Sequence, residues 1–321
     1  MMILSDLLTG EHNLQWDYAL QCGVSHAVIR LPETEDFDLT SPSAWRFLTD
    51  RFRSAGLIPV AIEPMPNRLN DHIKTGDAQR EESMDRFIRM LSAMDKVNVR
   101  LICMNFMAYV GWLRTRTDLS ERGGALVTGF RLEEARIDPA VHITHRELWA
   151  NLAYFFQAAV PYLERYGIRL ALHPDDPPIE QLGGVERIFT SVANMDKALA
   201  LAGSEAVGIA MCQANYSAMG EDVCKTIRHF GKTDRLYMAH FRDIVGTKED
   251  FHESFHDNGQ TDMVRVLEAF KECGFAGPIR VDHVPTLAGE KNDLPGYASI
   301  GRLYAIGYLK GLLEGIGYPY K

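Results

Sequence analysis

Rhythm constrains this chain more than any other feature. Eight short apolar runs recur along it, at Met2–Leu4, Val24–Leu31, Leu57–Glu63, Val99–Phe106, Ile168–His173, Val207–Cys212, Leu236–Phe241 and Pro278–His283. Most are rich in Val, Ile and Leu without polar alternation, as strands buried on both faces of a parallel sheet require. Amphipathic stretches with helical spacing lie between them, at Ala44–Ala55, Asp77–Met94, His145–Tyr166, Asn194–Leu201, Asp222–Phe230, Thr261–Cys273 and Ser299–Glu314. Several stop at a glycine (Gly56, Gly167, Gly231, Gly274), the usual helix terminator. Asp262 or Thr261 offers a cap for the seventh helix, and Pro278 opens the last run where no ladder donor is needed. Eight strand–helix alternations predict a (β/α)8 TIM barrel. An open doubly wound sheet is the alternative, disfavoured because no G-x-G-x-x-G follows an early run. The first run is the weakest of the eight signals.

Division by a typical domain size would split 321 residues in two. The eight runs instead use the whole chain as one barrel domain, 1–321, with an inserted loop region at about 107–144. Two connections exceed ordinary βα loops, Met107–Thr144 and Asp243–Gln260. The first has glycines, charges and room for a short hairpin. Both follow strands, so both fall on the C-terminal face, where barrel enzymes keep their active sites. They predict lids or substrate walls, with a surface or subunit-contact excursion as the plain alternative.

The net charge of −9 argues against broad nucleic-acid or anionic-membrane binding, both of which need a basic face. The opening MMILSDLLTGEHN lacks a basic n-region and a long apolar core, and no window holds the roughly 18 apolar residues of a membrane span. Five widely spaced cysteines without a C-x-x-C suit a reduced, cytoplasmic protein.

The last four apolar runs each end in a candidate metal ligand: His173, Cys212, His240 and Asp282. In a closed barrel the ends of neighbouring strands converge, so the four could address one ion. Two imidazoles, a thiolate and a carboxylate suit Mn2+, Fe2+, Co2+ or Zn2+ better than Mg2+. A lone strand-end histidine is usually structural and a lone cysteine usually fills core, but four at successive strand ends form a pattern. His252–His256 spells H-E-x-x-H, yet Asp257-Asn258-Gly259 follows at once and signals a turn. The stretch is therefore read as loop, with Glu253 or His256 bordering the pocket. Arg114, Arg116 and Asp118 in the first long loop suit a hydroxylated anion, though a solvated charged loop looks the same. Asn105, at the end of the fourth run, faces the site by fold logic. Pro174, Pro177 and Pro178 stiffen the segment bearing Asp175 and Asp176.

These segments resemble the mannonate dehydratase family. The likeness runs through Asn105-Phe106-Met107, Arg116-Thr117-Asp118-Leu119, Leu172-His173-Pro174-Asp175-Asp176-Pro177-Pro178, His240-Phe241-Arg242-Asp243, Phe255–Gly259, Asp282-His283, Pro295-Gly296-Tyr297 and Ile300-Gly301-Arg302. The resemblance implies dehydration of D-mannonate to 2-dehydro-3-deoxy-D-gluconate, by loss of the C2 proton and the C3 hydroxyl. It implies His173, Cys212, His240 and Asp282 as ligands of Mn2+ or Fe2+, and His283 and Tyr297 as proton carriers. Asn105, Arg116, Asp175, Arg242 and His256 are the corresponding substrate-binding candidates. A cytoplasmic homo-oligomer of hexuronate catabolism is expected, a dimer or higher, acting on a small sugar acid without nucleic acid or membrane. The chain departs from the family at Arg280-Val281-Asp282-His283, in the Val-Pro-Thr-Leu that follows, and at Gln213-Ala214-Asn215, so a closely related aldonate is the alternative to D-mannonate as substrate. A metal-dependent sugar isomerase or epimerase on a xylose-isomerase-like barrel, and a sugar-acid binder without catalysis, are the other function classes.

Overall fold

The computed structural model describes residues 1–34 and 36–321. Its strands, in chain order, are β1 (Ile3–Thr9), β2 (His26–Arg30), β3 (Ile58–Ile62), β4 (Leu101–Met104), β5 (Arg116–Ser120), β6 (Leu126–Arg131), β7 (Arg169–Leu172), β8 (Gln181–Leu182), β9 (Val185–Glu186), β10 (Val207–Cys212), β11 (Leu236–Phe241), β12 (Ile244–Gly246), β13 (Asp250–Glu253) and β14 (Pro278–Val281). Eight of them close a parallel barrel in the order β1-β14-β11-β10-β7-β4-β3-β2, and each coincides with one of the eight apolar runs.

The helices are α1 (Leu14–Gln21), α2 (Pro42–Ser54), α3 (Asn67–Thr75), α4 (Arg80–Val97), α5 (His145–Tyr166), α6 (Val192–Ala202), α7 (Gln213–Ala218), α8 (Val223–Gly231), α9 (Met263–Glu272) and α10 (Ser299–Gly315). Their ends are written in the sequence. Thr144 and Glu147 form a reciprocal capping box at the start of α5, and Gly167 ends it in the left-handed region at φ 58°. Asp262, not Thr261, caps α9 through the Arg265 N–H. No described helix is long and apolar enough to cross a membrane.

Apolar packing falls into layers. The main core lies between barrel and helices, a small cluster (Val28, Ala61, Leu101, Ala171, Ala210, Met238) fills the barrel interior, and a third lies under the long loops. That third cluster supports a feature absent from the sequence reading. The two long connections join into one antiparallel sheet, β12-β13-β6-β5, standing over the C-terminal face. Gly259 lets the returning chain press onto Asp243, since a Cβ there would lie 2.3 Å from the Asp243 carboxyl carbon. His252 and Glu253 sit on β13, not on a helix, so the zinc-helix geometry of H-E-x-x-H is absent.

The first run extends further than its apolar residues suggest. Ser5 and Asp6 are buried in β1, but Ser5 donates to the Ile279 carbonyl at 2.9 Å, and Asp6 accepts from Arg302 of α10 at 3.0 Å. Polar residues can line a barrel strand when each finds its partner.

Candidate active site

The barrel register brings the strand-end residues together. Cys212 pairs with His240 across β10 and β11, His240 pairs with Arg280 across β11 and β14, and the His173 N–H donates to the Met104 carbonyl at 2.8 Å. Ligand atoms of His173, Cys212 and His240 all lie within 4.8 Å of one another. Asp282 Oδ2 stands 3.7 Å from His240 Nδ1. Three of the sequence-based set of four therefore cluster, and Asp282 reaches the cluster beside His240.

The imidazole orientations suit a cation there. His173 Nδ1 lies 2.6 Å from the Pro174 carbonyl, which can only accept, so Nδ1 carries the proton. The Nε2 lone pair then faces the cluster, 3.1 Å from His240 Nδ1. Burial pushes the His173 pKa down and favours the neutral, ligating imidazole. Arg242 Nε donates to Cys212 Sγ at 3.2 Å. The donor set thus fits a borderline divalent metal, with carbonyl and guanidinium partners fixing the ligands from behind.

A second grouping, Glu63, Cys103 and His240, is a poorer cradle. Both Glu63 oxygens already accept from the Arg280 guanidinium at 2.8 Å, and a cation would have to sit beside that charge. Burial works to raise the Glu63 pKa, but Arg280 and His240 outweigh it and hold Glu63 ionised. Glu63 Oε1 is also 3.0 Å from His240 Nε2, which leaves His240 Nδ1 turned towards His173 and Asp282.

Beside the ligands stands a histidine–tyrosine pair. His283 Nε2 is 3.2 Å from the Tyr297 hydroxyl, and the rings meet edge to face at 89°. His283 Nδ1 is 3.0 Å from Glu253 Oε1 and also touches Arg242. The His283 backbone is left-handed at φ 34°, an uncommon conformation for a residue with a Cβ and one that clusters at functional sites. Burial raises the Tyr297 pKa well above its ordinary value, so its hydroxyl keeps its proton. Trp112, from the first long loop, packs over His283 with ring centres 5.2 Å apart.

A pocket of about 320 Å³ opens here, walled by Glu63, Asn105, His173, Asp282, His283 and Tyr297 among others, while Cys212 and His240 lie outside its wall. Behind it lies a buried ionic network. Arg114 donates to Asp176 at 2.6 and 3.1 Å and to Glu253 at 2.5 Å, while Arg242 donates to Glu253 at 2.5 Å and to Asp176 at 2.8 Å. Arg114 and Glu253 come from opposite long loops, so this network ties both to the barrel top.

Four of the sequence-based substrate candidates are placed differently from the expectation. Arg116 lies on β5 against Glu134, with its guanidinium in solvent and outside the pocket. Asp175 is buried beneath the site, accepting from the Phe189 N–H at 2.9 Å, and the neighbouring Asp176 lines the pocket instead. His256 donates to the Phe241 carbonyl at 2.7 Å, and burial pushes its pKa down to about 4, so it supports the end of β11 as a neutral ring. Arg242 is fully buried behind the wall, joining Cys212 to Glu253 and His283. Asn105 does line the pocket. The sequence reading passed over Glu63, a charge at the end of an otherwise apolar run, and Arg280, a charge two residues before Asp282; it also passed over Trp112, which carries no such mark.

A closed barrel that gathers imidazoles, a thiol and a carboxylate around a pocket with a histidine–tyrosine pair has the equipment of an acid–base enzyme assisted by a metal. The family model "D-mannonate dehydratase (UxuA)" matches residues 19–141 and 128–320, and the chain belongs to that family of hydro-lyases, which is metal-dependent. The mannonate dehydratase 2 of Halalkalibacterium halodurans is 31% identical over 299 residues, covering 84% of this chain and 86% of that protein. The crystal structure of mannonate dehydratase from Streptococcus suis serotype 2 superposes with a TM-score of 0.91 at 25% identity, covering 100% of this chain and 97% of that one. A xylose isomerase domain protein from Planctomyces limnophilus shares the fold alone, with a TM-score of 0.65 at 10% identity over 99% of both chains.

Proposed function

We propose that this chain removes water from D-mannonate to give 2-dehydro-3-deoxy-D-gluconate, using a divalent cation, Mn2+ or Fe2+, held by His173, Cys212, His240 and Asp282. The observation that carries the reading is the His283–Tyr297 pair on the wall of the pocket that His173 and Asp282 also line, with the ligand atoms of Cys212 and His240 within 4.8 Å of that of His173. When bound, the cation supplies positive charge for the carboxylate and 2-hydroxyl of the substrate, against which negative charge develops as C2 loses its proton.

The protein's own groups supply the proton transfers. With Nδ1 against Glu253, His283 turns Nε2 toward the Tyr297 hydroxyl on the pocket wall, and from there Nε2 accepts the C2 proton. The electrons of the broken C2–H bond form a C2=C3 double bond, and the C3–O bond breaks. Tyr297, kept protonated by burial, gives its proton to the departing hydroxyl, which leaves as water. Proton transfer from His283 across their 3.2 Å contact restores the phenol, and the enol ketonises to the product.

The comparisons favour dehydration over the isomerase alternative, since the similar xylose isomerase domain protein supports only the fold. Free cysteines among the described residues support a reducing, cytoplasmic setting, and a homo-oligomer in hexuronate catabolism completes the reading. The test is a thiobarbituric assay for 2-keto-3-deoxy acid after incubation of metal-reconstituted protein with a panel of aldonates. D-mannonate is expected to give the strongest signal, and no product with any aldonate would overturn the reading.

A further inference from the structure

Asn105 follows β4 directly and opens into the pocket beside His173. Helix α3 holds it from behind. Lys74, 1% exposed, donates from Nζ to Asn105 Oδ1 at 3.2 Å, and the Met107 N–H donates to the same oxygen at 3.3 Å. One turn earlier, Asn70 Nδ2 donates to the Asn105 carbonyl at 3.4 Å. Among the described residues the Lys74 ammonium makes one ion pair, a long 3.5 Å contact to Asp71, with Asp175 acting on it from further away. Asn151 in turn donates to the Lys74 carbonyl at 2.8 Å and anchors the helix at that point.

This arrangement decides which way the Asn105 amide faces. Oδ1 has two lone pairs, and two donors occupy them. A flipped amide would set its own N–H groups against an ammonium and a backbone N–H, leaving three donors with no acceptor. The Nδ2 group therefore points away from α3, and among the described residues it has no hydrogen-bond partner. The pocket thus receives fixed N–H donors on the His173 side, across the barrel mouth from His283 and Tyr297. The buried positive charge behind the amide also polarises it, so Nδ2 favours an anionic acceptor over a neutral one.

We infer that Lys74 is a positioning residue that locks Asn105 as a hydrogen-bond donor to the carboxylate end of a sugar acid. This rests on the sugar-acid reading above. A neutral amide backed by a cation recognises the anion without placing a mobile charge in the pocket.

Steady-state kinetics of the metal-loaded full chain with D-mannonate test it, alongside thermal midpoints. Asn105→Asp keeps the pairing with Lys74 and so keeps or raises the midpoint. It presents an acceptor where a donor is required, so KM is expected to rise about tenfold or more, with a smaller change in kcat. Lys74→Met frees the amide and is expected to raise KM severalfold. Lys74→Gln retains a donor to Oδ1 and is expected to recover most of that loss, a rescue that a merely structural lysine would not show. If Lys74→Met fails to fold, Asn105→Asp and Lys74→Gln carry the test. A KM within about twofold of wild type for Asn105→Asp, or no recovery in Lys74→Gln, overturns this inference alone. Wild-type protein that turns over no sugar acid overturns it together with the functional reading.

Discussion

Replacing Glu253 by Gln removes one charge from the buried network and keeps its shape. Glu253 Oε1 accepts from Arg114 and Arg242, each at 2.5 Å, and lies 3.0 Å from His283 Nδ1. Burial alone would raise the carboxyl pKa, but Arg242, His283 and Arg114 outweigh it and hold it at about 2, against an ordinary 4.5. A carboxyl with a depressed folded-state pKa contributes stability that is complete above its unfolded pKa and lost as pH falls through the folded one. At about 1.36 kcal/mol per pKa unit, the difference corresponds to about 3 kcal/mol at neutral pH. Breaking a buried pair by removing one partner costs about 3–5 kcal/mol, so the two routes agree. An unfolding entropy of about 2.1 cal/mol/K per residue gives about 0.7 kcal/mol/K for 321 residues, and hence a midpoint lowered by about 4–5 °C. Calorimetry of wild type and Glu253→Gln at pH 7 reads this gap directly. Linkage shrinks it to about half near pH 3, where the carboxyl of the unfolded chain is protonated while the folded one is still mostly ionised. Equal midpoints at pH 7, or a gap independent of pH, would refute the charge reasoning.

The site reading makes further predictions. Cys212→Ser should lower bound metal on elemental analysis, because a poorly ionised hydroxyl replaces a thiolate; unchanged metal content would remove Cys212 from the ligand set. Tyr297→Phe and His283→Gln should each reduce kcat by about 10²–10⁴, in line with loss of a general acid or base, and the Tyr297→Phe midpoint should change little. Arg116→Ala should leave KM for D-mannonate unchanged, since the guanidinium lies on Glu134 outside the pocket; a large rise in KM would return Arg116 to the site.

The barrel was legible because its strands are two-sided and apolar, and a run such as Val207–Cys212 has few other ways to be buried. The convergence of His173, Cys212 and His240 at the strand ends was legible for the same reason: once the barrel is granted, position along a run fixes direction. Short elements were not. Helix α1 buries only Trp16 and Ala19, and α7 has six residues, too few to show a period. The sheet over the active site was hidden because β6 and β13 lie over a hundred residues apart, and each long loop alone shows only room for a turn. Arg116 and Arg114 stand two residues apart and look alike in sequence. Only the fold shows that one reaches a buried Asp176 and Glu253 while the other meets an exposed Glu134. Glu63 and Arg280 form a bidentate pair across the barrel, so each looks like a misplaced charge until its partner is known.

The most direct measurement is the mass spectrum of D-mannonate after incubation with Mn2+-reconstituted protein. Dehydration predicts a product lighter than the substrate by one water, giving the mass of 2-dehydro-3-deoxy-D-gluconate. A product of unchanged mass would mean isomerisation or epimerisation on the same barrel and would contradict the account.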